Sequence, residues 1–132
     1  MSTEQNKEVV RRAIAALSKG DMEGFLADAA DDVTLTVMGA GFSPIQGKQK
    51  VLKGLQNALV ARLENGGAIA MTIESLIAEG DYVAEQARGQ ARTKDGKDYN
   101  NTYCRVWRIV NGKVQSVHEY LDTELVRACL FT

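Results

Sequence analysis

Glu119 stands between Val117 and Leu121 in Val117-His118-Glu119-Tyr120-Leu121-Asp122, an acid set into an otherwise apolar strand pattern. A strand that buries one face alternates apolar with polar residues. A carboxylate on the apolar phase is the kind of violation found where function overrides folding. On an apolar wall it is desolvated in its charged form, which suits it to carry a proton. Upstream, Tyr99-Asn100-Asn101-Thr102-Tyr103 supplies phenols and amides. Tyr103 and Asn101 could donate hydrogen bonds to a carbonyl oxygen that gains charge as a neighbouring C–H bond breaks. The candidate catalytic set is Glu119, Tyr103 and Asn101. Asp122 is a second acid, but it stands where a terminal helix should begin, and Asp is a favoured N-cap.

A set of expected ligand contacts surrounds these groups: Tyr99, Glu85, Arg105, Trp107, Met38, Phe42 and Leu59. Glu85 and Arg105 could form a bridge between strands or a polar clamp in the pocket, with the bridge the simpler reading. Trp107 reads more simply as core than as a recognition platform. The lone histidine, His118, falls on the opposite face, with Cys104, Val106 and Tyr120, where a second copy of the chain could dock. An exposed face of that composition would otherwise be unusually apolar.

Sixteen basic and seventeen acidic residues among 132 give a net charge of -1. With no basic run or stripe, nucleic acid is not an expected partner. The opening residues lack the apolar core of a signal peptide, and no stretch approaches a membrane span, so a soluble cytoplasmic protein with no membrane partner is expected. Cys104 and Cys129 then read as free thiols. With no metal-ligand spacing and one histidine, no metal is expected.

Hydrophobic periodicity supplies the elements that must position these groups. Ser2 or Thr3 should cap a first helix carrying Val9, Val10, Ala13, Ile14 and Leu17, stopped at Gly20. Asp21 should cap a short second helix. Alternation over Val33 to Met38 predicts a strand, and after Gly47 the spacing of Val51, Leu52, Leu55, Leu59 and Leu63 predicts a third helix closed by Asn65-Gly66-Gly67. The period then changes from helical to alternating. Four strands follow, separated by turns at Glu79-Gly80-Asp81, Lys94-Asp95-Gly96-Lys97 and Asn111-Gly112, and a short helix begins near Thr123. Helices first and an antiparallel meander second is an α+β arrangement over residues 1–132, with about three helices covering one face of a curved sheet.

This order, with Gly20-Asp21, Ala30-Asp31-Asp32-Val33, Ile45-Gln46-Gly47, Tyr99-Asn100-Asn101-Thr102-Tyr103, Asn111-Gly112-Lys113-Val114 and Glu119-Tyr120-Leu121-Asp122-Thr123, resembles the nuclear transport factor two-like cone in its SnoaL-like and ketosteroid-isomerase-like branch. The resemblance implies a cone-shaped antiparallel sheet with a hydrophobic small-molecule pocket, an acid as proton carrier, no cofactor, and a homodimer. It implies isomerase, polyketide cyclase, dehydratase or epoxide hydrolase chemistry, or binding without turnover, since one fold hosts many functions. By resemblance Glu119 lies near the epoxide hydrolase acid and Asp122 nearer the cyclase acid.

Strand register decides which acid faces the pocket. A two-residue turn at Asn111-Gly112 would oppose Tyr103 to Tyr120 and Asn101 to Asp122, whereas a three-residue loop with a glycine bulge would oppose Tyr103 to Glu119 and Asn101 to Leu121. The bulge is expected, because it gathers Tyr99, Tyr103, Trp107, Ile109, Val117 and Leu121 on one apolar face. The same turn chemistry at Asp95-Gly96 should place Ala87 opposite Tyr103, Gly89 opposite Asn101 and Glu85 opposite Arg105, leaving a cavity beside the phenol.

Overall fold

The computed structural model describes residues 2–131. Ser2 opens helix α1 (Thr3–Ser18) with a reciprocal cap: the Gln5 amide donates to its hydroxyl at 3.1 Å, and its own amide donates to the Gln5 side chain at 2.8 Å. Two donors that a helix start leaves unpaired are thereby satisfied. Asp21 accepts from the Gly24 amide at 2.8 Å and opens the single turn α2 (Met22–Phe25). Strand β1 (Ala29–Val37) begins four residues earlier than its alternation predicts, and a two-residue strand β2 (Ile45–Gln46), which has no periodic signature, pairs with it.

Helix α3 (Lys48–Leu55) is shorter than its apolar spacing suggests. Its continuation, Gln56–Val60, is π-helical, closed by the Ala61 amide donating five residues back to the Gln56 carbonyl at 2.9 Å, and a 3₁₀ turn follows at Asn65–Gly67. Then come β3 (Ala70–Glu79), β4 (Tyr82–Gln90), β5 (Thr102–Val110), β6 (Lys113–Leu121) and helix α4 (Thr123–Leu130), capped by Asp122, whose carboxylate accepts from the Glu124 and Leu125 amides at 3.0 and 3.2 Å.

The six strands form one curved sheet in the order β2-β1-β6-β5-β4-β3, and four helices accompany it, the α+β arrangement expected. One detail differs. β1 runs parallel to β6, so the sheet is mixed rather than wholly antiparallel. Parallel neighbours need a long connection, and here α3 and the whole meander supply it.

Neither register considered for the last hairpin is the one adopted. Asn111 (φ 49°) and Gly112 (φ 79°) form a tight two-residue turn, with Val110 opposite Lys113, as the left-handed tolerance of Asn-Gly permits. The bulge lies further along β6, where Gln115 is the extra residue between the Ile109–Val114 and Arg108–Ser116 pairs. Tyr103 therefore opposes Leu121, and Arg105 opposes Glu119. The expected face survives because the shift keeps parity: Tyr103, Trp107, Ile109 and Val117 are buried. On the other side Ala87 opposes Tyr103 and Glu85 opposes Arg105, as the Asp95-Gly96 turn implied, and the Gly89 amide donates to the Asn101 carbonyl at 2.9 Å.

Candidate active site

Register places Glu85, Arg105, Glu119 and Val37 in one row across β4, β5, β6 and β1. The Arg105 Nη1 donates to Glu85 Oε2 at 2.8 Å and its Nε donates to Glu119 Oε2 at 2.7 Å. Glu85 is fully buried, and its second oxygen accepts from the Trp107 indole N–H at 2.9 Å. Trp107 in turn rests against Phe25, ring centroids 5.8 Å apart. The result is a carboxylate–guanidinium–carboxylate line, buried at the Glu85 end and partly open at Glu119, whose Oε1 has no hydrogen-bond partner among the described residues.

Buried charges persist only when paired. Burial pushes the Glu85 carboxyl up from its ordinary value, opposed by Arg105 and by the Trp107 N–H. Burial also works against the charge on Arg105, but Glu85 and Glu119 together outweigh it and hold the guanidinium protonated. The same guanidinium lies 4.3 Å from the centroid of the Tyr103 ring, a cation–π contact that fixes its edge.

The Tyr103 hydroxyl is buried and has no hydrogen-bond partner among the described residues. The Tyr99 hydroxyl lies nearby and is itself the acceptor of the Asn101 Nδ2 at 3.4 Å. Burial first, and the proximity of Tyr99 next, push the Tyr103 phenol far above its ordinary value. It is a neutral donor without an acceptor among the described residues. An unsatisfied buried donor costs free energy that a bound oxygen would recover.

Glu119, Arg105, Tyr103 and Tyr99 together line a cavity of about 360 Å³ between the sheet, the α3 continuation and α4, with Arg105 in contact with both Glu119 and the Tyr103 ring. Leu35, Val37, Ile45 and Leu121 line it from the sheet, Leu55, Ala58 and Leu59 from α3 and its continuation, and Val126, Leu130 and Phe131 from α4 and its end. This size is near the lower end for ligand pockets, so it suits a small molecule of one or two rings. The π-helical turn carries Ala58 and Leu59 into the wall, a placement in keeping with the frequent association of such turns with functional sites.

Residues 10–117 match the SnoaL-like domain family model. The chain belongs to the SnoaL-like family. Among solved structures this SnoaL-like domain is similar over its whole length to an NTF2-like protein of unknown function from Burkholderia pseudomallei, with 19% identity, 100% of each chain covered and a TM-score of 0.82. It is similar to an LEH-like epoxide hydrolase from Mycobacterium tuberculosis, with 20% identity, 97% of this chain and 90% of that one covered, and a TM-score of 0.74. A Catenulispora acidiphila protein with a ketosteroid isomerase-like fold shares 20% identity over 93% of this chain and 92% of that one, at a TM-score of 0.77. At these identities the likeness shows the fold. No curated protein matches the sequence significantly.

Of the residues the SnoaL-like sequence singles out, Glu119, Tyr103, Tyr99, Arg105, Phe42 and Leu59 line the cavity. Four others lie elsewhere. Asn101 is tied to backbone: its Oδ1 accepts from the Thr102 and Asp122 amides at 2.8 and 3.1 Å and its Nδ2 donates to the Asp122 carbonyl at 3.2 Å, which staples β5 to the start of α4. Glu85 lies behind Arg105, and Trp107 is core. Met38 is displaced by Val37, because its own amide donates to the Glu119 carbonyl at 2.8 Å and alternation turns its side chain away. The small residues opposite the phenol leave no cavity there: a Cβ on Gly89 would lie 2.6 Å from Ile69, 3.0 Å from Met71 and 3.1 Å from the Tyr103 ring, so these side chains occupy the space. Sequence reasoning missed Val126, Leu130 and Phe131, whose helical spacing was visible but whose docking over the cavity was not. Among the described residues no three His, Cys, Asp or Glu side chains converge as a metal-holding group, and no helix is long and apolar enough to cross a membrane.

Proposed function

We propose that the cavity binds a small hydrophobic carbonyl compound, with Tyr103 donating to its oxygen and Glu119 moving a proton at the adjacent carbon. The observation that carries this reading is the buried Tyr103 hydroxyl, without a hydrogen-bond partner among the described residues, in the cavity that Glu119 also lines, with Arg105 touching both side chains. As the C–H bond breaks, negative charge moves to the carbonyl oxygen, and a pre-placed donor in a water-poor site stabilises it without reorganisation. Glu119 accepts the proton and either returns it at another carbon (isomerisation) or, once the carbanion has attacked a second carbonyl, gives it to the oxygen of that carbonyl (aldol cyclisation). Both required groups are residues of the chain. Apart from Arg105, whose Nε is committed to Glu119 Oε2, the row and strand neighbours of Glu119 on the inner face, Val37, Val117 and Leu121, offer no side-chain hydrogen bond to hold a water, which favours abstraction from carbon over activation of water for epoxide opening.

The test is turnover of cyclic ketones and unsaturated ketones by the wild type, Glu119→Gln and Tyr103→Phe. Glu119→Gln should abolish the reaction, and Tyr103→Phe should slow it by about a hundredfold; a Glu119→Gln variant that retains the rate overturns the reading. Binding without turnover is the second reading, supported by the ion pair that already engages Glu119 Oε2. In that case Glu119→Gln changes affinity alone.

The outer face of the sheet is proposed as the seat of a second copy of the chain. Ile77, Tyr82 and Tyr120 are 64%, 51% and 47% exposed, and the row Ile77, Ala84, Val106, His118 crosses that face.

A further inference from the structure

We propose that Glu85 is the positioning residue of this site: from beneath the cavity floor it fixes the Arg105 guanidinium so that Nε meets Glu119. Glu85 never touches the cavity. Its Oε2 takes Nη1 of Arg105 at 2.8 Å while its Oε1 is held by the Trp107 indole at 2.9 Å, so the carboxylate cannot swing. A guanidinium offers five donors on a long flexible stem. With Nη1 claimed from below and the Tyr103 ring 4.3 Å from its central carbon, the group left facing Glu119 is Nε, at 2.7 Å. One contact rather than a bidentate grip results, and Glu119 keeps Oε1 for chemistry.

A purely structural role explains this arrangement poorly. The rows on either side of Glu85 are apolar, with Val83 opposite Trp107 and Ala87 opposite Tyr103. An apolar residue at position 85 would complete them, whereas a buried carboxylate is a costly substitute for packing. What the carboxylate adds, beyond balancing the charge of the buried Arg105, is orientation of the cation that Glu119 meets.

The experiment measures hydrogen exchange of the Arg105 Nε–H by proton–nitrogen NMR in the unliganded protein, alongside the indole N–H of the chain's single tryptophan. In the wild type the Nε–H should exchange slowly. Glu85→Gln, which keeps the shape and removes the charge, should speed its exchange by at least about tenfold. Trp107→Phe, which keeps Glu85 and removes the N–H that anchors it, should do the same, and it supplies the test if Glu85→Gln fails to fold. Unchanged protection in the folded variant overturns the proposal.

The kinetic arm rests on the proton-transfer reading above. There Glu85→Gln should lower kcat by about a hundredfold with KM within about twofold, and Glu85→Asp should restore part of the loss. A change confined to KM overturns the positioning role. If the wild type turns over no carbonyl compound, the proton-transfer reading fails by itself, and Nε–H exchange decides the role of Glu85.

Discussion

The Nε of Arg105 and the Oε2 of Glu119 lie 2.7 Å apart across directly opposed positions of β5 and β6. Because Arg105 is also bound to Glu85 and wholly buried, its removal strands two acids, one of them with no access to water. Arg105→Met should therefore destabilise the fold by about 3–5 kcal/mol. The double variant Glu85→Gln/Arg105→Met should recover a large part of that loss. Urea denaturation of the two single variants and the double variant measures the coupling; additive losses would contradict the paired burial.

Glu85 also gives the stability a sign with pH. Its folded-state value is raised from 4.5, burial being the leading cause. The native state thus binds a proton that the unfolded chain releases, so this contribution is complete below about 4.5 and is lost as pH rises through the raised value. Denaturation midpoints between mildly acidic and neutral pH should fall more for the wild type than for Glu85→Gln. A steeper fall in the variant would reverse the assignment.

Tyr103→Phe should separate stability from function. The hydroxyl has no hydrogen-bond partner among the described residues, so its removal should stabilise the protein by about 1 kcal/mol, while ligand binding and turnover decline. Burial raises both Tyr99 and Tyr103. Their ionisation should follow alkaline unfolding, visible as a late step in tyrosinate absorbance, and Tyr103→Phe should remove part of it. A late step of unchanged size would place Tyr103 in contact with solvent.

Gly89→Ala tests the packing that holds the phenol. The added Cβ would lie 2.6 Å from Ile69 and 3.1 Å from the Tyr103 ring, both on flanking strands or their approaches, and overpacking of this kind costs about 1–3 kcal/mol. The loss should come with weakened ligand binding, because the displaced ring carries the donor. A neutral effect on stability in thermal unfolding would show that the ring has room to yield.

If the outer face seats a second copy, light scattering should give twice the chain mass, and Ile77→Lys should return it to a monomer. A monomer at all concentrations would remove the argument from the exposed Ile77, Tyr82 and Tyr120.

Much of this architecture was legible from local chemistry. Ser2, Asp21 and Asp122 announced their helices because a cap is a contact within three residues, and Asn111-Gly112 announced its turn because few residues tolerate two left-handed positions. The inward face of β5 was legible from alternation, and with it Tyr103 and Arg105. The register that sets Arg105 directly opposite Glu119 was not, because the bulge at Gln115 carries no marker of its own; its side chain donates to Asp32, at 2.7 Å, on the neighbouring strand β1 and 83 residues away in sequence. Asn101 resembled a ligand contact for a similar reason, since its true partner, the backbone of Asp122, is 21 residues away. The cavity wall from Val126, Leu130 and Phe131 depends on how α4 folds back. There Arg127 donates to the Ala40 carbonyl and stacks 4.7 Å from the centroid of Phe42, contacts between segments that share no pattern.

The most direct measurement is hydrogen–deuterium exchange at carbon, followed by proton NMR, for small cyclic ketones in heavy water with the protein present. Wild type should accelerate exchange at the carbon beside the carbonyl, Tyr103→Phe should lose about a hundredfold of that acceleration, and Glu119→Gln should lose all of it. Acceleration that survives Glu119→Gln, or exchange no faster than in buffer with ketones shown to occupy the cavity, would contradict Glu119 as the proton carrier.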